Sequence, residues 1–497
     1  MKVDNLSNPV LGIDLGTTYS SIARWDGEAG RVYPNKNGDL STPSVVYFDS
    51  KTGKYLVGEI AVRMGVLYPE NVCHAVKRQM DTREAVIRLG SRLLSPVDVS
   101  SIILSDLVGD VTSKFPAGAF QPAGVVVTVP YYFKAHQVQN TADAAAQAGI
   151  PLLGIVQEPI AASLAYALDL ARNSPSNRRN ERILVFDLGG GTFDLTVFEL
   201  KESARRLAFE VLATGGDDRL GGIDFDRSLA DWLIESYNLQ LDRQEERVRR
   251  LAMQKLFAQV RTAKEHLSFA EHTYIGIPDV VPGMHIDRDV TRSQFEQLIQ
   301  GHLAKMRRVL ARTLREAGVG WQDIHRVILV GGSSKIPAVQ RLLEECGTGN
   351  KIYSNINQDL CVAEGAALYA AYLSGRLGLD KKIDIQTRTS HALGVELSDG
   401  SFYPIIQGNR RTPCSSTTVF TTDEDNVQEM EIAIYQGSEP VALDNALVGK
   451  ILVKGLPRRP GGELDILVTV KVDQQQMVSI RVEEPVSGFA CEERLRC

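Results

Sequence analysis

Asp187-Leu188-Gly189-Gly190-Gly191-Thr192 decides the reading of this chain, because a shorter copy, Asp14-Leu15-Gly16-Thr17-Thr18, stands about 170 residues earlier. Each copy follows a short apolar run, VLGI at 10–13 and ILVF at 183–186, with the length and composition of a buried strand. Glycine leaves backbone N–H groups unobstructed, and successive N–H groups in a turn form a nest for anions. The threonines add hydroxyls. The leading aspartates cannot touch a phosphate, but they can hold Mg2+ or its waters, which neutralise it. One such turn is an ordinary tight hairpin. Two, each behind a buried strand, predict two similar lobes gripping phosphates across one cleft, in the way duplicated α/β units place ligands where their halves meet.

Outward from the hairpins, residues 10–380 alternate strand-like and helix-like segments. GVVVTV at 124–129 and VILV at 327–330 read as buried strands. Phe295, Leu298, Ile299, Leu303, Met306, Leu310 and Leu314 recur at helical spacing, and Thr291 with Gln294 makes a capping box, so one long helix is predicted over 291–317. This alternation indicates α/β layers. Neither GxxxxGK[ST] nor a GxGxxG unit at a strand–helix junction occurs, which removes the main support for P-loop and dinucleotide readings. A third glycine turn, Val330-Gly331-Gly332-Ser333-Ser334-Lys335, follows VILV and would let the backbone approach a nucleoside.

Past about residue 380 the period changes to two, at Met430, Ile432 and Ile434, and again at Leu464, Ile466, Val468, Val470 and Val472. Turn signals separate these runs, at Asp399-Gly400, Gln436-Gly437 and 459–462 (RPGG). This last part is expected to be an all-β sandwich, joined through a polar linker at 375–390. The whole chain of 497 residues predicts two to four domains, and 43% apolar with 23% charged residues is ordinary globular composition. A net charge of −6 argues against a nucleic-acid or membrane binder. No signal peptide or membrane span is expected, and six scattered cysteines without CxxC fit reduced thiols in the cytoplasm.

GIDLGTTYSS, VVVTVPYYF, GIVQEPIAASLAYAL, VFDLGGGTFDLTVFEL, GGDDRLGGIDFD, ILVGGSSKIP and CVAEGAALYAA follow one another in this order. Together they resemble the seventy-kilodalton heat-shock chaperone family of DnaK type, within the actin, hexokinase and heat-shock ATPase superfamily, over roughly residues 10–490. The resemblance implies an α/β fold with a two-lobed actin-like ATPase domain at 1–378, a linker at 379–390, and a β-sandwich peptide-binding module at 391–497. It implies ATP/ADP and Mg2+, with K+ as a further ion. Asp14, Gly16, Thr17, Thr18 and Tyr19 match the first phosphate grip, and Gly189, Gly190, Gly191 and Thr192 the second. Lys77 matches the catalytic lysine, a point charge that orients the attacking water and the γ-phosphate. Glu158 and Asp187, with Asp14, match the carboxylates that hold Mg2+ largely through water, and Asp194 matches a partner of water and a monovalent cation. Gly215, Gly216, Lys264, Ser268, Gly331, Gly332, Ser333, Lys335 and Asp359 match the nucleoside end. Pro130 matches the switch proline, and Val395, Phe420, Met430 and Ile432 the apolar groove for an extended peptide.

The chain departs from the family in several places. Glu265 and Lys335 occupy the positions of two arginines that often sandwich the adenine, and Arg261 stands at an acidic position. Val138 replaces an arginine that relays the proline state. The linker reads Ile383-Asp384-Ile385-Gln386, less apolar than the family's leucine run, so its docking as an edge strand should be weaker. Ser398 and Asp423 replace the apolar arch over the peptide, and only residues 488–497, enough for two or three helical turns, stand where the family has a helical lid. The expected function is an ATP-dependent chaperone for extended hydrophobic segments of unfolded polypeptides, with a J-domain co-chaperone and an exchange factor as implied partners. The alternative is an ATP-gated scaffold whose β module binds one dedicated partner.

Overall fold

The computed structural model describes residues 8–84, 86–116, 120–173, 179–203, 206–353, 355–377, 382–473 and 477–494; residues 379–381 of the expected linker lie outside them. The first sheet contains β1 (Val10–Asp14), β2 (Tyr19–Trp25), β3 (Gly30–Val32), β4 (Gly124–Val129) and β5 (Leu152–Gln157) in the order β5-β4-β1-β2-β3. The second contains β6 (Arg179–Leu188), β7 (Phe193–Glu202), β8 (Arg206–Asp217), β9 (Arg326–Val330), β10 (Ile352–Tyr353) and β11 (Lys382–Gln386) in the order β10-β9-β6-β7-β8-β11. The repeat seen in the hairpins extends to topology. β1 runs parallel to β4 and antiparallel to β2, and β6 runs parallel to β9 and antiparallel to β7. The central strands are apolar without alternation because both faces are covered, as in β4, where all six residues are buried.

Between the sheets cross α1 (Glu158–Asn173) and α2 (Cys361–Leu373), whose apolar faces join residues of both sheets in one core. The helices approach so closely that a Cβ at Gly365 would overlap the Ala161 carbonyl, and one at Gly12 in β1 would overlap the Ala367 amide. Alanine at 365 would favour the helix by about 1 kcal/mol, but its obstacle is backbone that cannot yield, and overpacking costs about 1–3 kcal/mol. Gly365→Ala is therefore expected to lower the denaturation midpoint; an unchanged or raised midpoint would contradict this packing.

The helix expected over 291–317 is two, Arg292–Leu298 and Gln300–Glu316, with the Thr291–Gln294 capping box in place. The break falls at Ile299, whose ψ of 6° leaves helical geometry while its side chain stays buried.

The last part is all β. β12 (Ala392–Glu396), β13 (Phe402–Ile406), β14 (Cys414–Phe420), β15 (Glu429–Gly437), β16 (Ala446–Lys454), β17 (Ile466–Val472), β18 (Val478–Glu484) and β19 (Phe489–Arg494) form two four-stranded sheets, β13-β12-β15-β16 and β14-β17-β18-β19. Alternate residues of β17 and β18 point into a shared core, which is the source of the period-two pattern. The described part of the tail is a strand, not a helix. β19 pairs antiparallel with β18, and Phe489 packs on the core. β11, inside the expected linker, is an edge strand parallel to β8, with Ile383 buried.

Candidate functional site

The β1–β2 and β6–β7 hairpins meet tip to tip. A Cβ at Gly190 would overlap the Thr18 hydroxyl, and one at Gly191 would overlap the Thr17 side chain, so the approach requires glycine. Beside this junction opens a cavity of about 430 Å³. Asp14, Gly16, Thr17, Thr18 and Tyr19 line it from the first lobe, and Asp187, Gly189, Gly190 and Thr192 from the second. Lys77 and Glu158, expected at a phosphate end, and Lys264, Ser268, Gly331, Gly332, Ser333, Lys335 and Asp359, expected at a nucleoside end, line it too.

Three matched glycines and one carboxylate stand behind the wall. Gly191 turns its carbonyl to Arg78, which donates from Nε at 3.0 Å and also pairs with Asp224. Gly215 and Gly216 do not line the cavity. They lie in β8 opposite Leu195 and Asp194, where a Cβ would overlap the Thr313 hydroxyl and the Phe193 carbonyl, so strand packing accounts for both glycines. Asp194 pairs with Asp187 across the hairpin, and its Oδ1 accepts from the Tyr132 amide at 3.0 Å.

Lys77 and Glu158 form a buried ion pair, and Lys77 Nζ lies 5.8 Å from the centre of the Phe133 ring. Among the described residues, no ion pair of this kind is found for Asp14, Asp187 or Asp194. Asp187 Oδ2 and Asp194 Oδ2 are buried and accept no hydrogen bond among the described residues. Burial, and then the Glu158 charge, push Asp14 and Asp194 up to about 7 and hold Asp187 well above the usual carboxylate range, even though Lys77 pulls all three down. A set of buried carboxylates with orphaned oxygens fits a divalent cation held nearby. Among the described residues no three His, Cys, Asp or Glu side chains are placed to ligate a metal directly.

At the end expected to take the nucleoside, Lys264 pairs with Asp226 at 2.8 Å and donates to the Gly222 carbonyl at 3.0 Å, while Lys335 pairs with Asp359. Arg261 lies 3.9 Å from Asp226. Arg78, Asp224 and Asp226 escaped the sequence reading; the last two sit in the GGIDFD motif, whose acidic spacing was the available signal.

The segment after β4 joins this site to the sandwich. Pro130 ends the strand. The Tyr131 hydroxyl, buried, donates to the Arg388 carbonyl at 2.8 Å and accepts from the Arg388 amide at 3.0 Å. The Tyr132 ring lies 4.3 Å from that of His391, which burial and then Lys134 push down to about 3, so it is neutral. The Ala135 amide donates to Gln436 Oε1 in β15 at 2.8 Å. Val138 packs with Met80, Val129 and Phe133, and Met477 of the sandwich packs against them, so this seam is apolar where the resemblance implies an arginine. Arg388 Nε donates to the Val211 carbonyl at 2.6 Å, and Arg411 pairs with Glu210. Polar contacts thus supplement the small apolar area of the docked linker.

Within the sandwich, Val395 and Ile432 are buried, and Phe420 and Met430 pack against the same core; Phe420 stands edge-on to Tyr403 at 5.7 Å. Among the described residues no helix is long and apolar enough to cross a membrane.

The chain matches the family model described as Hsp70 protein over residues 10–88 and 80–495. It is 38% identical to Chaperone protein DnaK of Thermotoga petrophila, over 96% of this chain and 79% of that protein. It is 37% identical to Chaperone protein DnaK of Thermosipho africanus, over 97% of this chain and 79% of that one. For Chaperone protein DnaK of Deinococcus proteolyticus the identity is 35%, over 96% and 77%.

Proposed function

We infer, from the fact that this chain belongs to the Hsp70 protein family, that the cavity between its two hairpins binds and hydrolyses ATP and thereby controls the β-sandwich. The protein is an ATP-dependent molecular chaperone. The observation that carries the reading is the meeting of two glycine hairpins over a buried Lys77–Glu158 pair and three carboxylates without a cation. The hairpin amides and threonine hydroxyls hold phosphate oxygens. Lys77, held by Glu158, presents a fixed charge where the γ-phosphoryl group develops negative charge. Asp14, Asp187 and Glu158 would hold Mg2+, largely through water, and the ion would neutralise the phosphates; Asp194 would offer an oxygen to K+ or to water.

We assign residues 1–378 to the ATPase domain, 379–390 to the linker and 391–497 to the sandwich, with Val395, Phe420, Met430 and Ile432 taking an extended apolar segment of an unfolded polypeptide. A J-domain co-chaperone and an exchange factor in the cytoplasm complete the cycle. The contacts of Tyr131, Tyr132 and Ala135 with residues 388–436 supply a physical route between the two sites.

ATP turnover of the full chain, measured with and without a leucine-rich peptide, tests both sites together. Stimulation is expected, with peptide release faster in ATP than in ADP. Equal turnover and equal release rates would count against coupling. No binding to any member of a peptide array would favour the scaffold reading instead.

A further inference from the structure

The two ends of the cavity are built differently. The phosphate end presents backbone amides and a buried lysine. At the nucleoside end the cations are already engaged: Lys264 with Asp226 at 2.8 Å and with the Gly222 carbonyl, and Lys335 with Asp359. Arg261 is the only guanidinium lining the cavity among the described residues, and it leans toward Asp226. Glu265 also faces this end, and a carboxylate cannot stack on a base. A nucleobase entering here therefore finds no free planar cation.

It does find an aromatic ring. Phe269 lies just past the helix Glu246–Leu267, its amide donating to the His266 carbonyl at 3.0 Å. Its side chain is 83% exposed, more than any other large apolar residue among those described, and it lines the cavity beside Glu265 and Ser268. The Gly331-Gly332 turn lines the same cavity. A Cβ at Gly332 would meet only Asp359 Oδ1, at 3.9 Å, so the backbone is open at that position, while Gly331 packs on the Leu188 carbonyl. The exposed ring offers a flat apolar face to a planar base entering the cavity. Stacking there would bury ring surface that is otherwise left in water.

We propose that Phe269 is the stacking platform for the nucleobase of ATP in this chain. The proposal rests on the nucleotide reading given above, and it identifies which residue recognises the base. Because the ring is exposed, truncating it leaves the core intact. The test is a cycle on the full chain with Mg2+, measuring dissociation constants of ATP and of ribose 5-triphosphate, which lacks the base. In the wild-type protein the base is expected to strengthen binding. In Phe269→Ala that advantage is expected to fall about 10-fold, within the roughly 5- to 150-fold span of base–aromatic stacking. Phe269→Trp is expected to restore it. The same advantage in the wild-type and alanine forms would overturn the proposal while leaving the nucleotide site standing. So would equal weakening of both ligands, since that would mean the ring only shapes the site. A wild-type protein that binds neither ligand would overturn the nucleotide reading itself.

Discussion

Lys77→Ala is expected to lower single-turnover ATP hydrolysis about 100- to 1,000-fold while ATP still binds, the usual loss when one fixed charge aimed at a developing oxyanion is removed. The substitution acts twice. It takes a buried cation from the cavity wall, and it leaves Glu158 buried without its partner. Lys77 also pulls down the proton affinity of Asp14, Asp187 and Asp194, so its loss raises all three further and, on the proposed reading, weakens their hold on a hydrated cation. A buried charge left unpaired costs about 3–5 kcal/mol of stability, which would confuse the rate measurement. Lys77→Met combined with Glu158→Gln removes both charges and separates the two effects. Its fold should be firmer than that of Lys77→Ala and its hydrolysis equally slow. Turnover of Lys77→Ala within about threefold of wild type would remove Lys77 from the mechanism.

Tyr131→Phe is expected to abolish the peptide stimulation of turnover while the protein remains folded and ATP-bound. The hydroxyl makes two hydrogen bonds to the Arg388 backbone, one given and one received. At about 0.5–1.5 kcal/mol each, they sum to about 1–3 kcal/mol, the usual size of a coupling free energy between sites. Phenylalanine keeps the buried ring and loses only these bonds. Next along the chain, the Tyr132 amide holds the Asp194 carboxylate, so the same short segment touches the site and the sandwich. The measurement is turnover against peptide concentration, with peptide release in ATP and in ADP as the second readout. Wild-type stimulation in Tyr131→Phe would show that the signal passes elsewhere, with the apolar seam of Val138 and Met477 the next place to cut.

Both substitutions probe contacts that no local pattern announces. Lys77 and Glu158 are 81 residues apart, and Tyr131 and Arg388 are 257 apart. The lysine was assigned through a family likeness and not by its own surroundings, and Tyr131 was passed over, because a tyrosine after a switch proline carries no mark of its partner. Gly215 and Gly216 are the opposite case. Their doublet looks like a ligand turn, but their missing side chains serve the packing of β8 against Thr313 and Phe193. At the tail, length alone allows two or three helical turns over 488–497, whereas residues 489–494 add an edge strand to β18. Phe269 went unnoticed because an exposed phenylalanine on a loop signals nothing until the cavity beside it is known.

The two glycine hairpins, the buried strands behind them and the period-two sandwich were legible from residue order, because each is a local demand: an amide nest needs glycine, a strand covered on both faces needs an unbroken apolar run, and a half-buried one needs alternation. The family likeness then supplied roles for residues whose surroundings the order of the chain does not reveal. What only the folded chain decided is how the pieces meet: the glycines of one hairpin against the threonines of the other, Lys77 locked to Glu158, the linker running as the edge strand β11, and Tyr131 fastened to Arg388. These are pairings between groups far apart in sequence, and their energies come from burial and from exclusion of water, which exist only once the lobes and the sandwich have closed on one another.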